Sequence, residues 1–242
     1  ASMPSSFVTR ISGSESIVRS SVGRRKSVSG VSRRPEHTSI AVVSVEPTVP
    51  GAQLNETFVD EQVERLQAEY GSVPVGEETV EVAAESFPQY VENARDGYVG
   101  SAYAWVRRDP GQAGERSESY AGPVEDRERA LLILPRGESA WGVPGGGLEG
   151  EESFEEGAVR EVREETGVGC EITGLWRLER RRWRSEDSDD GRVSHTLHVY
   201  FDADYAGGSI AVQGSEVNGA AWFARAPDRL LEPTGDRAAA FF

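Results

Sequence analysis

Three glutamates are spaced so that one face of a helix would bring their carboxylates together. Glu161, Glu164 and Glu165 stand at positions i, i+3 and i+4, which are neighbours on a helical surface. Like charges at this density repel one another, and a divalent cation among them removes the repulsion. Hard carboxylate oxygens suit Mg²⁺ or Mn²⁺ better than Zn²⁺. The spacing therefore predicts a metal-binding face, and a surface helix with an acidic, solvated face is the alternative.

The residues around these glutamates predict the helix that must carry them. Phe154, Ala158 and Val162 recur every four positions, as one buried helical stripe requires, and Gly167 is a typical helix end. Before the helix, Gly145–Gly147 either form a tight strand-to-helix turn or let the backbone approach a metal or a phosphate. Both interpretations of the glycines can hold together.

The same stretch resembles the Nudix box, whose spacing is G-x5-E-x7-R-E-hydrophobic-x-E-E-x-G-hydrophobic. Every position of that pattern is matched. The matching residues are Gly146, Glu152, Arg160, Glu161, Val162, Glu164, Glu165, Gly167 and Val168. The resemblance implies an α/β fold, a Nudix-type α/β/α sandwich on a mixed β-sheet. It also implies an enzyme that hydrolyses a nucleoside diphosphate linked to another group X.

The resemblance also implies roles for individual residues. The expected metal-binding residues are Glu161, Glu164, Glu165 and Gly145. The expected catalytic residues are Glu161, Glu164, Arg160 and Glu152. Glu161 is either a metal ligand or the general base, since family members differ in which glutamate serves. Glu152 is expected to orient Arg160 by a charge-assisted hydrogen bond, and Arg160 to position the carboxylates.

The charges agree with this reaction. A pyrophosphate is a dense anion that an acidic helix repels, and bound Mg²⁺ or Mn²⁺ reverses the local sign. The metal also lowers the pKa of a bound water, from which a carboxylate can take the proton. A Nudix-fold sensor that binds a nucleotide without cleaving it is the alternative function. A phosphate-binding loop of the triphosphatase kind is excluded, because no Lys-Ser/Thr follows the glycines.

An arginine-rich stretch supplies candidate substrate residues. Arg180, Arg182 and Arg184 alternate along a predicted strand and therefore share one face. They are candidates to bind substrate phosphates, with Trp183 stacking on a base. A salt-bridged surface strand is the equally weighted alternative.

Four further polar or reactive residues are less informative. Glu216, before the last predicted strand, is a candidate metal ligand or base, and a solvated loop glutamate is the alternative. His195 and His198 fall on opposite faces of a strand, so we expect packing or surface roles and no shared metal. The single cysteine, Cys170, excludes an internal disulfide.

The charge balance limits the kinds of partner. The chain has 41 acidic and 26 basic residues, a formal net charge of −15, and Lys26 is its one lysine. This composition resembles that of proteins from halophilic, GC-rich microbes, in which a hydrated acidic surface stays soluble in salt. We expect a small-molecule nucleotide derivative as partner, with no nucleic acid and no membrane. No convincing signal peptide is found, so we expect a cytoplasmic protein.

Composition divides the chain into three parts. Residues 1–50 hold 13 serines and seven basic residues against three acidic ones, so we expect a disordered basic segment. Residues 51–96 are expected to form an N-terminal helical extension, and residues 97–242 the Nudix hydrolase domain. In the extension, an amphipathic helix over 55–70 is predicted, capped by Asn55 or Thr57. That helix packs on the body or on a second subunit, which would make a homodimer.

The remaining elements follow from apolar patterns and turn residues. Strands are predicted at Gly76–Ala84, Gly97–Arg108, Ala130–Leu134, Glu171–Arg184, Val193–Asp204 and Val217–Phe223, and short helices at Pro88–Asp96 and Pro227–Glu232. This order of strands, with the glutamate helix between them, is typical of helices packed on a mixed sheet.

Overall fold

A computed structural model describes residues 52–113, 127–187, 191–212, 214 and 216–242. The basic segment predicted over residues 1–50 lies outside these ranges. The division of the chain into three parts stays a prediction.

A mixed β-sheet organises the described chain. Its strands are β1 Gln53–Leu54, β2 Val75–Val82, β3 Gly100–Arg108, β4 Arg129–Pro135, β5 Gly145–Gly147, β6 Val168–Ser185, β7 Val193–Gly208 and β8 Val217–Phe223. The spatial order is β2-β6-β7-β3-β4-β8, with β1 on β7 and β5 on β3. The pairs β2–β6, β3–β7 and β1–β7 are parallel and the others antiparallel. The predicted α/β fold on a mixed sheet is confirmed.

In the described ranges, four helices cover the two faces of the sheet. They are α1 Glu56–Tyr70, α2 Phe87–Arg95, α3 Phe154–Thr166 and α4 Thr234–Phe241, and a short 3-10 helix spans Pro110–Ala113. On β3, Ala102 and Ala104 belong to the core cluster under α1 and α3, while Trp105 belongs to the cluster that includes Ala238 of α4. Successive residues of a strand point to opposite faces, so the helices form layers on both sides of the sheet.

The helix predicted over 55–70 is present, but its predicted cap at Asn55 is wrong. Val59 and Leu66, which are seven residues apart and therefore share one helical face, are completely buried, as an amphipathic helix requires. Asn55 precedes the helix with φ 64° and makes no side-chain cap. Its amide instead donates a hydrogen bond to the carbonyl of Tyr98, 3.0 Å away, so a tertiary contact replaces the local one.

Two further predictions need correction. The backbone around Leu230 pairs with Trp141, which keeps the segment predicted as the helix Pro227–Glu232 extended, and the helix starts only at Thr234. Gly145–Gly147, predicted as a tight strand-to-helix turn, form a short strand paired with Ser101–Tyr103 of β3. The other interpretation, that these glycines let the backbone approach a metal or a phosphate, stays a prediction.

Candidate active site

Helix α3 holds the glutamate face in place through local contacts and burial. At its N-terminus, Ser153 and Glu156 form a reciprocal capping box, and at its C-terminus Gly167 has a φ of 74° that favours glycine. The stripe Phe154, Ala158 and Val162 is buried in the core, as predicted. The helix is therefore anchored at both ends and along one side.

The three glutamates differ in their exposure. Glu161 and Glu165 are only 3% and 8% exposed, whereas about half of the Glu164 side chain is exposed, 52%. The structure thus brings two carboxylates into the protein interior beside the apolar stripe and leaves the third at the rim.

The glycine strand β5 lies directly against the buried carboxylates. The backbone N–H of Gly145 donates to Oε2 of Glu165 at 2.9 Å. A Cβ on Gly146 would sit 2.7 Å from the carboxylate carbon of Glu161, closer than any side chain tolerates. Gly145 has φ 147°, and a Cβ there would meet the carbonyl of Ala102 at 2.3 Å. Glycine is therefore required for the carboxylates to approach the backbone.

Arg160 joins the acidic residues. Its Nε donates to Glu152 at 2.9 Å and its Nη2 to the carbonyl of Gly147 at 2.9 Å. Its Nη1 donates to Glu161 at 2.9 Å and to Glu164 at 3.1 Å. Burial opposes the guanidinium charge, but the hydrogen bonds that Arg160 donates to Glu152 and Glu161, together with their negative charges, outweigh it and raise the pKa of Arg160. One cation thus balances part of the negative charge of the site.

Burial weakens the acidity of the two interior glutamates. It raises the pKa of Glu165 to about 8, against the opposing effect of the hydrogen bond from Gly145. It also raises the pKa of Glu161, although Arg160 acts in the other direction. The carboxylate of Glu216 adds to both shifts. Glu216, from the loop before β8, is therefore close enough to act electrostatically on both buried carboxylates.

The donor set has the chemistry that suits a hard divalent cation. Within the described ranges, no three Asp, Glu, His or Cys side chains are grouped closely enough to hold a metal. The Nη1 of Arg160 donates to both Glu161 and Glu164, so a cation held by these two carboxylates would compete with this guanidinium. The oxygen ligands are those that Mg²⁺ and Mn²⁺ prefer. Burial raises the pKa values of Glu161 and Glu165, with smaller additions from neighbouring carboxylates, and a bound cation would stabilise their charged forms.

The arginines and the tryptophan predicted to bind substrate are bonded to other side chains of this protein. Arg180 pairs with Asp60 of α1 at 2.6 Å, and Arg182 pairs with Glu77 of β2 at 3.0 Å. Trp183, on the other face of β6, is 4% exposed, and its Nε1 donates to Thr196 at 2.9 Å. These contacts agree with the salt-bridged alternative for the arginines, and a substrate role for them stays a prediction.

A set of residues on the α2 and α4 side of the sheet was not recognised in the sequence. We call it the aromatic face: Ser101, Tyr103, Glu179, Arg181, His198 and Tyr200, which are matched across β3, β7 and β6. Arg181 is buried and bonds Glu179. The alternation of side chains along a strand could have indicated this contact, because residues 179 and 181 share one face of β6. No sequence signal indicated that His198 would lie beside Ser101, because this position depends on the pairing of β7 with β3.

None of the four helices in the described ranges has the length and apolar character that a bilayer crossing needs.

Comparison of the chain with known proteins identifies a matching family and similar sequences. The family model described as NUDIX domain matches residues 117–237, half of the chain. A Mycobacterium tuberculosis protein named as a mutator protein, MutT4, is 35% identical over 104 residues, which are 42% of this chain and 40% of that protein. A Bacillus subtilis protein named as an 8-oxo-dGTP diphosphatase is 29% identical over 108 residues, 44% of this chain and 64% of that protein. The chain thus spans less than two thirds of either relative.

Among solved structures, a MutT NUDIX hydrolase from Burkholderia pseudomallei is 23% identical, with a TM-score of 0.37. The match covers 56% of this chain and 96% of that one. A MutT protein from Methanosarcina mazei Go1 is 20% identical, with a TM-score of 0.40. That match covers 59% of this chain and 91% of that one.

Proposed function

The chain belongs to the Nudix family, and from this premise we propose that it hydrolyses a pyrophosphate bond in a nucleoside diphosphate linked to another group. The observation that carries the proposal is the pair of buried carboxylates, Glu161 and Glu165, held against a strand of three glycines. Water attacks one phosphorus, the P–O–P bond breaks, and the products are a nucleoside monophosphate and the phosphorylated second group.

The proposal includes a divalent cation, Mg²⁺ or Mn²⁺. The residues that would hold it are Glu161, Glu164 and Glu165, together with the backbone at Gly145. When bound, the ion neutralises phosphate charge and supplies a water of lowered pKa. Support for this part comes from two interior carboxylates whose pKa values are raised by burial, because a bound cation would stabilise their charged forms.

The protein's own residues have distinct proposed roles. Glu161 takes the proton from the attacking water, or serves as a ligand while Glu216 takes it, and the charge of Glu216 acts on the Glu161 carboxyl. Arg160 is a positioning residue, and Glu152 and the carbonyl of Gly147 fix its orientation. β5 excludes side chains from the space beside the carboxylates, so a phosphate can approach the backbone.

A panel of nucleotides tests the proposal. It contains the nucleoside triphosphates with 8-oxo-dGTP, ADP-ribose, dinucleoside polyphosphates, NADH and nucleotide sugars, each assayed for release of monophosphate. Each is measured with Mg²⁺, with Mn²⁺ and with chelator, in low and in molar salt. We expect one class to be cleaved and the cleavage to stop with chelator. Tight binding of a nucleotide without cleavage of any member would refute hydrolysis and support a sensor.

A further inference from the structure

A narrow cleft lies between helix α2 and the sheet, and His198 is the residue that it shares with the aromatic face. Its lining residues are Tyr90, Asn93, Tyr98, Trp183, Ser194, Thr196 and His198. The cleft encloses about 20 Å³, which is room for one water molecule. Its lining is aromatic and uncharged, unlike the carboxylate cluster on the other face of the sheet.

The cleft lies next to the proposed phosphate site, because successive residues of β5 face opposite sides of the sheet. Gly146 faces the carboxylate of Glu161, whereas a Cβ on Gly147 would lie 3.2 Å from the ring of Tyr98. One strand of backbone therefore separates the carboxylates from the cleft. A substrate whose phosphates lie at the carboxylates can extend its next group over the edge of this strand towards Tyr98.

His198 offers an unused hydrogen-bonding group at this position. It is 6% exposed, and its Nδ1 has no hydrogen-bond partner among the described residues. A buried polar atom without a partner is unfavourable, so a ligand that bonds to it gains from that contact. Burial, with Arg181 adding to it, lowers the pKa of His198 well below its usual range. The imidazole is therefore neutral near pH 7, with one donor and one acceptor nitrogen.

The charged residues of the aromatic face already neutralise each other. Arg181 bonds Glu179 at 2.6 Å through Nη2 and Glu78 at 3.0 Å through Nε. No net charge is left over to attract a second phosphate group. The face is therefore suited to an uncharged group with hydrogen-bonding atoms.

The rings of the aromatic face favour a flat group. Tyr103 and His198 have nearly parallel planes, 11° apart, with centroids separated by 6.2 Å. Tyr103 and Tyr200 are stacked at 4.8 Å and 13°. A planar heterocycle can lie along such a row, since aromatic surfaces accept offset stacking.

We propose that His198 is a specificity-determining residue that reads the edge of the substrate's nucleobase, with the rings of Tyr98 and Tyr103 beside it. This inference rests on the proposed function. The cleft has room for only one water. The proposal therefore requires the Tyr98 ring or α2 to move outward before a base can enter. The nucleoside end of the substrate, and not the group X, then occupies the aromatic face.

Binding of reaction products tests the inference without turnover. Calorimetry compares AMP, GMP, CMP and UMP with ribose 5-phosphate, which lacks a base. We expect the wild-type protein to prefer one base by about tenfold or more, the size of discrimination that a buried hydrogen-bonding group provides. In His198→Ala, the four monophosphates should bind with similar affinities, because the rings that remain contact any base without reading its edge.

His195→Ala is the matched control. His195 is on the same strand and 3% exposed, but it lies on the opposite face, where its Nε2 bonds Gln53 at 2.9 Å. This variant should keep the base preference of the wild type. Equal loss of preference in both variants would overturn the inference, because it would show general damage to the fold.

A measurement on wild-type protein covers the case in which His198→Ala does not fold. The chain has three histidines, so His37→Asn and His195→Asn assign the ¹⁵N signals of His198 by elimination. We expect the preferred monophosphate to shift the Nδ1 signal and ribose 5-phosphate to leave it unchanged. An Nδ1 signal unchanged by every monophosphate would overturn the inference.

The two proposals fail in different ways. Pyrophosphate hydrolysis with no base preference in binding would refute the role of His198 and leave the hydrolase proposal intact. Base-selective binding that depends on His198, without hydrolysis of any pyrophosphate, would support the role of His198 and refute the hydrolase proposal.

Discussion

In the metal-free protein, the surroundings of Glu165 favour both its protonated and its charged form. It is buried, which favours the protonated form, yet it receives a hydrogen bond from Gly145, which favours the carboxylate. Burial is the larger effect and raises the pKa to about 8. A carboxyl group in this state is ready to give up its proton when a cation arrives, because the cation stabilises the charged form.

This conflict makes the stability of metal-free protein depend on pH. The pKa of Glu165 is near 4.5 in the unfolded chain and about 8 in the folded one. Between these values the folded state holds more protons, so stability falls as pH rises. We expect Glu165→Gln to melt at the same temperature as wild type below pH 4.5 and at a higher one above pH 8. Thermal melts in chelator measure the difference.

Glu164→Gln is the control for that series, since about half of the Glu164 side chain is exposed. Its melting temperature should follow that of wild type across the pH range. Adding Mg²⁺ at pH 8 should raise the melting temperature of wild type more than that of Glu165→Gln. Parallel curves for wild type and Glu165→Gln would contradict the argument from burial.

Glu161→Gln tests the catalytic assignment at the same scale. The substitution keeps the side-chain volume and removes a charge, so we expect a folded protein with kcat reduced by about a hundredfold or more. Glu151→Gln changes an exposed glutamate just before α3 and should leave turnover unchanged. A Glu161→Gln variant with wild-type kcat on the cleaved nucleotide would remove Glu161 from the mechanism.

At the scale of secondary-structure elements, helix α1 is bonded to the first turn of α3. Arg65 of α1 bonds both carboxylate oxygens of Glu155, at 2.9 and 3.1 Å, and the hydroxyl of Tyr70 donates to the same group at 3.4 Å. Val59 and Leu66 of α1 are completely buried in the core that α3 shares. Helix α1 thus supports the helix that carries the glutamates.

A double-mutant cycle measures this support. Arg65→Gln, Glu155→Gln and the double variant should give a coupling energy of about 0.5–1 kcal/mol in urea unfolding, since the pair is bidentate but partly exposed. Arg184 and Glu81 form the matched pair. More than half of each side chain is exposed, so this pair should show no measurable coupling. Equal coupling in the two pairs would show that the α1–α3 contact has no special weight.

For the whole molecule, the dominant electrostatic feature is excess negative charge. Acidic residues outnumber basic ones by 41 to 26. Several arginines are paired on the sheet surface, as Arg180 is with Asp60 and Arg182 with Glu77. The unpaired excess of carboxylates therefore repels itself in the compact state.

Salt should relieve this repulsion. The screening length falls from about 10 Å at 0.1 M to about 3 Å at 1 M salt, so we expect the melting temperature at pH 7 to rise with KCl. The same series near pH 4.7, the isoelectric point of the sequence, should show a smaller rise because the net charge is close to zero. A melting temperature that is flat or falling with KCl at pH 7 would contradict a repulsive surface.

The sequence by itself determined the features that depend on near neighbours. The apolar repeat Phe154, Ala158 and Val162, the stop at Gly167 and the spacing of the glutamates predicted α3 correctly. These signals are local, because a helix joins residues three and four apart. The hairpin of β6 and β7 and the mixed sheet were also predictable from alternation and chain order.

Only the tertiary structure decided the contacts between distant segments. The pairing of β3 with β7 matches Ser101 to His198 and so creates the aromatic face. The strand formed by the glycines, and the approach of Glu216 to the buried carboxylates, depend in the same way on residues far apart in the chain. Periodicity shows which residues share a face of their own element, but strand register decides what lies opposite that face.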